Sequence, residues 1–272
     1  LQVNEAFFKQ TGYAWEEIRG RSMSLIRSQR HDDEFFQAMW KELETKDRWS
    51  GEVWNRRKDG ETYPQLLSIM AIKDRKGGPK QYLGILKDIS LMKMEMDTIR
   101  RMAYEDPLTG LANRLLFMDR LQQACGHSGR RQDRFAVFFF DLDGFKAVND
   151  EHGHYVGDQV LAESGRRISG AMREDDTVAR FGGDEFMALA RDVEDWGQAE
   201  ELGTRVLRAF DHAFRLDKED LHISISVGVA LFPDCSNSPD RLVKAADMAM
   251  YRSKQQGGGV VRAECQLPEN GR

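Results

Sequence analysis

Phe135-Ala-Val-Phe-Phe-Phe-Asp-Leu-Asp-Gly-Phe-Lys146 decides the architecture of the C-terminal two thirds of the chain. The unbroken apolar run from Phe135 to Phe140 is of strand length and does not alternate, which predicts a strand buried on both faces of a sheet. The run stops abruptly at Asp141 and Asp143, so carboxylates stand at the end of a buried strand. A second cluster follows downstream: Val178-Ala-Arg-Phe181, then Gly182-Gly183, then Asp184-Glu185-Phe186-Met-Ala-Leu189. Two strand-like segments about a glycine pair predict a hairpin, with the glycines in its turn and the acids presented beside them.

Taken alone, Gly-Gly-Asp-Glu reads as a surface hairpin with solvated acids. The first cluster changes that reading. In a chain of alternating helices and strands, two strands that finish in acids can pack side by side and bring several carboxylates within reach of one cation. Oxygen donors of this kind suit Mg²⁺, which takes one or two carboxylates and completes its shell with water and substrate phosphates. The chemistry expected is metal-assisted phosphoryl or nucleotidyl transfer. The alternating run from His222 to Ala230 reads as a core strand with Ser224 and Ser226 on one face. No Ser-His-Asp or Cys-His arrangement stands beside it.

At 272 residues the chain fits two domains of ordinary size. Its 40 basic and 45 acidic residues leave a net charge of -5, which gives no field of the kind that gathers nucleic acid or anionic membrane. Nucleic acid is therefore not an expected partner, and any phosphate must be held locally. Cys125, Cys235 and Cys265 are odd in number and far apart, without the spacing of a zinc site or a disulfide framework. They point to a reducing, cytoplasmic setting. No apolar run is long enough to cross a bilayer, although an anchor could lie outside a chain that opens on Leu1 directly into dense pattern.

Residues 1–90 read as a separate small α+β domain. Asn4 to Phe8 reads helical, Trp49 to Arg56 strand-like, and Lys58-Asp-Gly-Glu61 as a tight turn before another strand. Leu66 to Ile72 and Tyr82 to Ile89 supply further strands, joined through Arg75-Lys-Gly-Gly-Pro79. An antiparallel sheet with helices on one face follows. His31 is the sole histidine of this region and lies on a polar segment, so a surface or capping role outweighs haem ligation. Trp40, Trp49 and Trp54 fit either a ligand pocket or an aromatic core. From Leu91 to Tyr104 there is no Gly or Pro, and Met92, Met96, Ile99 and Ala103 recur at coiled-coil spacing. A connecting helix over 91–104 that pairs with its copy is expected.

Val3-Asn-Glu-Ala-Phe7, Thr11-Gly-Tyr13, Trp54 to Glu61 and Gly84 to Ile89 together resemble a PAS domain whose usual first strand is missing. The resemblance implies a sensory pocket for an unknown ligand, or a dimerising scaffold. Asp106-Pro-Leu-Thr-Gly-Leu-Ala-Asn-Arg114, Asp141 to Lys146, Asn149-Asp150, Gly153-His154, Gly157-Asp158 and Arg180-Phe-Gly-Gly-Asp-Glu-Phe186 resemble a GGDEF domain over 105–262, leaving 263–272 as a tail. That family implies a cyclase or polymerase-palm fold, with a central sheet flanked by helices. It also implies a homodimeric diguanylate cyclase that joins two GTP into cyclic di-GMP and releases two pyrophosphates.

Carried over by position, Asp141, the Leu142 carbonyl, Asp184 and Glu185 would hold two Mg²⁺ per active site, with Mn²⁺ as the alternative ion. Asp184 also matches the family's general base. Gly144, Phe145 and Lys146, with Gly182 and Gly183, would meet phosphate oxygens. Asn149 and Asp158 match the guanine-binding pair; one carboxylate can accept from both N1–H and the exocyclic amine, donors that adenine lacks. Lys254 stands at the family's triphosphate lysine. Gly258 occupies the place of its usual arginine, a departure that weakens the triphosphate site. Arg173 and Asp176 match an inhibitory RxxD motif that would grip product, to which Arg180 adds unless it salt-bridges on its own strand. Two other classes stay open: a cyclic di-GMP receptor with weak or no catalysis, and a GTP-binding regulatory module of a longer GGDEF-phosphodiesterase protein.

Overall fold

The computed structural model describes residues 2–73, 79–131, 134–216 and 219–265, and the chain divides into two compact units, Leu1–Ile99 and Arg100–Arg272. In the first unit Asn4 caps α1 (Glu5–Thr11) by accepting from the Phe7 amide, and Gly12, at φ 75°, ends it. After the short α2 (Trp15–Ile18), Asp32 accepts from the Phe35 amide and starts α3 (Asp33–Lys46). The strands β1 (Arg48–Arg56), β2 (Thr62–Lys73) and β3 (Pro79–Asp88) form an antiparallel sheet in sequence order. Most of the expected linker, Arg75 to Gly78, lies outside the described residues.

Helices and sheet enclose a cavity of about 680 Å³ lined by Phe7, Met39, Val53, Leu67, Ile69 and Leu86, among others. Gln10 also lines it, and its buried Nε2 has no hydrogen-bond partner among the described residues. His31 accepts from the Trp54 amide of β1 through Nε2 at 3.0 Å and stacks on Phe35, while the cap of α3 is the next residue, Asp32. Of the tryptophans, Trp40 lines the cavity, Trp49 meets Phe35 edge-on and Trp54 lies under the Arg30 guanidinium. Helix α4 (Ser90–Tyr104) follows with no buried residue, and Met92, Met96 and Ile99 are 50%, 67% and 64% exposed.

The second unit runs α5 (Arg114–Arg131), β4 (Phe135–Leu142), α6 (Phe145–His152), α7 (His154–Ala171), β5 (Thr177–Gly182), β6 (Glu185–Arg191) and α8 (Trp196–Phe210). A ribbon of β7 (Phe214–Leu216) and β8 (Glu219–Leu221) precedes β9 (Ile225–Phe232), α9 (Pro239–Gln255) and β10 (Gly259–Arg262). The main sheet has the order β10-β9-β4-β6-β5, antiparallel except for the β9–β10 pair. Strand β4 lies in its centre, and all eight of its residues are buried. Its pleat feeds two cores. Phe138, Phe140 and Leu142 join residues of α7 and α8 on one face; Phe135, Val137 and Phe139 join Phe117, Leu121, Leu242 and Ala246 of α5 and α9 on the other. By that alternation Asp141 falls on the α9 face.

Helix α9 approaches the sheet at Gly228 of β9. A Cβ there would lie 2.1 Å from both the Ala246 carbonyl oxygen and the Met250 amide nitrogen. The helix rests on bare backbone at this point. Cys235, just past β9, is disulfide-bonded to Cys265, just past β10, so two of the cysteines pair after all; Cys125 is free. The spacing in sequence gave no sign of this because α9 separates partners that the parallel β9–β10 pair brings together. No helix among the described residues is long and apolar enough to cross a membrane.

Candidate active site

The two acid clusters meet where the sequence places them. In the β4–β6 ladder Asp141 pairs directly with Glu185, and the Leu142 amide donates to the Asp184 carbonyl at 3.3 Å. The hairpin differs in detail from the expectation of two glycines in its turn. Gly182 pairs with Glu185, the ladder shifts register between Arg180 and Gly182, and Gly183-Asp184 form the loop, with Gly183 at φ 51°. An irregular ladder re-aims the residues beyond it, and here it sets Asp184 on the tip.

Arg180 fixes the hairpin. Its Nε and Nη2 donate to the Gly183 carbonyl at 3.0 and 2.8 Å, and its Nη1 reaches Asp106 Oδ2 at 3.3 Å. Burial alone would raise the Asp106 carboxyl, but hydrogen bonds from Thr109 and the Arg180 charge hold it below its ordinary value. Asp106 and Arg180, far apart in sequence, therefore brace the acidic loop from behind.

Asp141 is 7% exposed. Burial pushes its carboxyl up; Lys254 of α9 pulls it partly back, and Asp184 and Asp143 add to the rise. The Lys254 ammonium lies 2.5 Å from Asp141 Oδ1 as an ion pair. Glu185 is raised as well, by burial first and then by Asp141, Asp247 and Asp184, against a partial offset from Lys254. Such a pair of strained carboxylates fits a hard divalent cation. Among the described residues no three His, Cys, Asp or Glu side chains form a metal-holding group, so the acids offer part of a shell, as Mg²⁺ sites with bound phosphate do.

Two partnerships escaped the sequence reading. Asp143 accepts from Ser224 Oγ and Ser226 Oγ, both at 2.8 Å, which ties the turn after β4 to β9. The alternating serines were visible as one face; their partner was not. Asp247 sits on α9, and only the packing of that helix over the sheet brings its charge to Glu185.

Around this centre Gly144, at φ 75°, turns the chain into α6, whose first residues are Phe145 and Lys146. Helix starts present amides with no partner inside the helix, a ready cradle for phosphate. Lys146 is exposed. Asn149 lies within α6 and Asp158 in the second turn of α7, neither at a cap. Gly257, Gly258 and Gly259 follow α9 with φ of 87°, 104° and 105°. On the far side of the sheet's edge, Arg173 and Asp176 form the turn before β5. The Asp176 carboxylate accepts from the Arg173 and Arg191 amides, and the Arg173 side chain is exposed.

Comparison with known proteins agrees with this geometry. The family model described as diguanylate cyclase, GGDEF domain, matches residues 103–259, and a PAS domain model matches residues 1–91. The bifunctional diguanylate cyclase/cyclic di-GMP phosphodiesterase MucR of Pseudomonas aeruginosa is 42% identical over 62% of this chain and 24% of its own length. The diguanylate cyclase TpbB of the same species is 37% identical over 62% of this chain and 39% of its own length. The chain thus spans well under half of these relatives. The crystal structure of the TpbB GGDEF domain superposes with a TM-score of 0.57 at 37% identity, covering 58% of this chain and 99% of that one. The coiled coil and GGDEF domain of Caulobacter crescentus DgcB, solved with cyclic di-GMP, gives 0.59 at 27% identity over 64% of this chain and 93% of that one. With its acidic hairpin facing the end of a buried central strand, this chain belongs to the GGDEF-domain family and carries a PAS domain ahead of the GGDEF domain.

Proposed function

We propose that the chain condenses two GTP into cyclic di-GMP, each GGDEF domain of a homodimer binding one nucleotide. The observation that carries this reading is the pair Asp141 and Glu185, opposite one another at the sheet end and both raised by burial first and then by neighbouring carboxylates, Asp184 among them in each case. Asp141, the Leu142 carbonyl, Asp184 and Glu185 would hold the metal, two Mg²⁺ per site or Mn²⁺ in their place. When bound, the metal neutralises charge on the phosphate oxygens and lowers the pKa of the attacking 3′-hydroxyl. Asp184, on the loop tip, would accept that hydroxyl's proton. Lys254 can turn from Asp141 to the triphosphate, and the Phe145 and Lys146 amides with Gly144 cradle phosphate oxygens. Asn149 and Asp158 read the guanine edge.

Incubation of the purified chain with GTP and Mg²⁺, with chromatography of the products, tests the reading against an Asp184→Ala, Glu185→Ala control. Cyclic di-GMP formed by the parent and absent from the control supports it. No product at high protein concentration, with bound nucleotide stripped first, transfers support to a cyclic di-GMP receptor. In that case Gly258, which brings no cation to the triphosphate, is the first residue to examine.

Regulation is proposed at two places. The exposed apolar stripe of α4 suits pairing with a second copy, and it links a cavity-bearing PAS domain to a domain that must meet its own copy to close the ring. Replacing Met92, Met96 and Ile99 together by Glu is expected to shift the chain to monomer in ultracentrifugation and to lower turnover per chain at least roughly tenfold. Retained dimer and activity would refute a role for the helix. Arg173, exposed on its turn, and Asp176 form the proposed product site. Arg173→Ala is expected to raise the product concentration giving half inhibition by roughly tenfold or more, with initial turnover unchanged. Unaltered inhibition would remove the site.

A further inference from the structure

Helices α6 and α7 meet at Gly153, whose φ of 83° folds the chain back on itself. The fold sets Asn149 of α6 against Gly157 of α7, a buried residue. A Cβ on Gly157 would lie 2.0 Å from Asn149 Oδ1, 3.0 Å from its Cγ and 3.4 Å from Phe145 Cζ. The obstructed group is the end of a side chain that can rotate. A methyl at 157 would therefore move the Asn149 amide and leave the backbone of both helices in place. Gly228 is the opposite case, since the atoms a Cβ meets there belong to the α9 main chain.

We propose that Gly157 is a positioning residue for base recognition: its bare Cα is the wall against which the Asn149 amide is set, beside Asp158 on the same helical turn. The proposal rests on the reading of Asn149 and Asp158 as the guanine site. Successive helical residues point about 100° apart, so Asp158 projects to one side of the spot where Asn149 meets the helix. The two polar groups thus sit on neighbouring positions of the α7 surface, and the Asn149 amide oxygen occupies the space that a side chain at 157 would fill. Any side chain at 157 would push the amide out of the plane in which it can bond a base edge, and hydrogen bonds weaken steeply with such misalignment. In this view the Gly157-Asp158 pair is a single device. One residue supplies the carboxylate, and the other supplies the space that orients its partner.

The test is a double-mutant cycle on the full chain with Gly157→Ala, Asn149→Ala and the double variant. Calorimetry gives the affinity for a non-hydrolysable GTP analogue, and thermal melts give stability. Gly157→Ala is expected to weaken the analogue roughly tenfold at unchanged melting temperature, with Asn149→Ala similar and the double variant no weaker than Asn149→Ala alone. Losses that add, or a Gly157→Ala protein that binds as wild type while Asn149→Ala does not, overturn the proposal. If Gly157→Ala lowers the melting temperature, recovery in the double variant supports the contact, because Asn149→Ala removes the obstructed atoms; no recovery overturns it. Wild-type affinity in Asn149→Ala overturns the base-site reading itself, and the positioning role with it.

Discussion

Gly228→Ala is expected to destabilise the GGDEF domain by at least about 3 kcal/mol, the upper part of the range for overpacking. Its added methyl would meet the Ala246 carbonyl oxygen and the Met250 nitrogen at 2.1 Å. Neither atom can rotate away, so α9 has to retreat from β9, opening gaps around Leu242, Ala246 and Ala249, all of which are 0% exposed. A domain of this size holds roughly 5–15 kcal/mol in total, so the loss is a large share of it. The corresponding fall in melting temperature is roughly 6–12 °C. Helix α9 also carries Lys254 and Asp247, so activity should fall before the domain unfolds. A melting temperature within about 2 °C of the parent would show that the sheet gives way and the helix does not.

Glu185→Gln is expected to act in opposite directions on activity and stability. Turnover should fall roughly a thousandfold or more, since a charged ligand at the reacting phosphates is worth several kcal/mol. Without metal, however, the same change should raise stability by about 0.5–1 kcal/mol, because like charges directly across a ladder repel. The sign with pH follows from the raised Glu185 carboxyl. A raised acid in the folded state favours the protonated native form, so that contribution is complete below the unfolded-state pKa and is lost as pH rises through the folded value. From acid to neutral pH in EDTA the parent should therefore lose stability relative to the Gln variant. Melts with EDTA at two pH values check both points. An equal pH slope in the two proteins would mean that the repulsion is relieved elsewhere.

The strand at the heart of the sheet was legible in the sequence, because an apolar run of strand length that stops at acids fits a buried strand with carboxylates at its end. Phe135 to Phe140 lie in the buried central strand, and Asp141 stands near its end. Local signals also placed a helix over Asn4 to Phe8, where α1 lies, and α4 through its lack of Gly and Pro. What escaped depends on neighbours that the sequence separates. The register shift before Gly182 is set by the ladder with β6, and no period in the hairpin reveals it. Asp143 shows its function only once β9 lies beside β4, and Asp247 only once α9 covers the sheet. Arg180 pairs with Asp106 and the Gly183 carbonyl, and the Asp106 partnership joins residues that the sequence holds far apart.

The glycines after α9 constrain how this protein can change over time. At φ of 104°, position 258 has a backbone shape that L residues rarely adopt, and an arginine there would carry a strain of roughly 1–3 kcal/mol. A cation introduced at 258 to serve the triphosphate would therefore cost the fold stability unless the loop backbone were rebuilt with it.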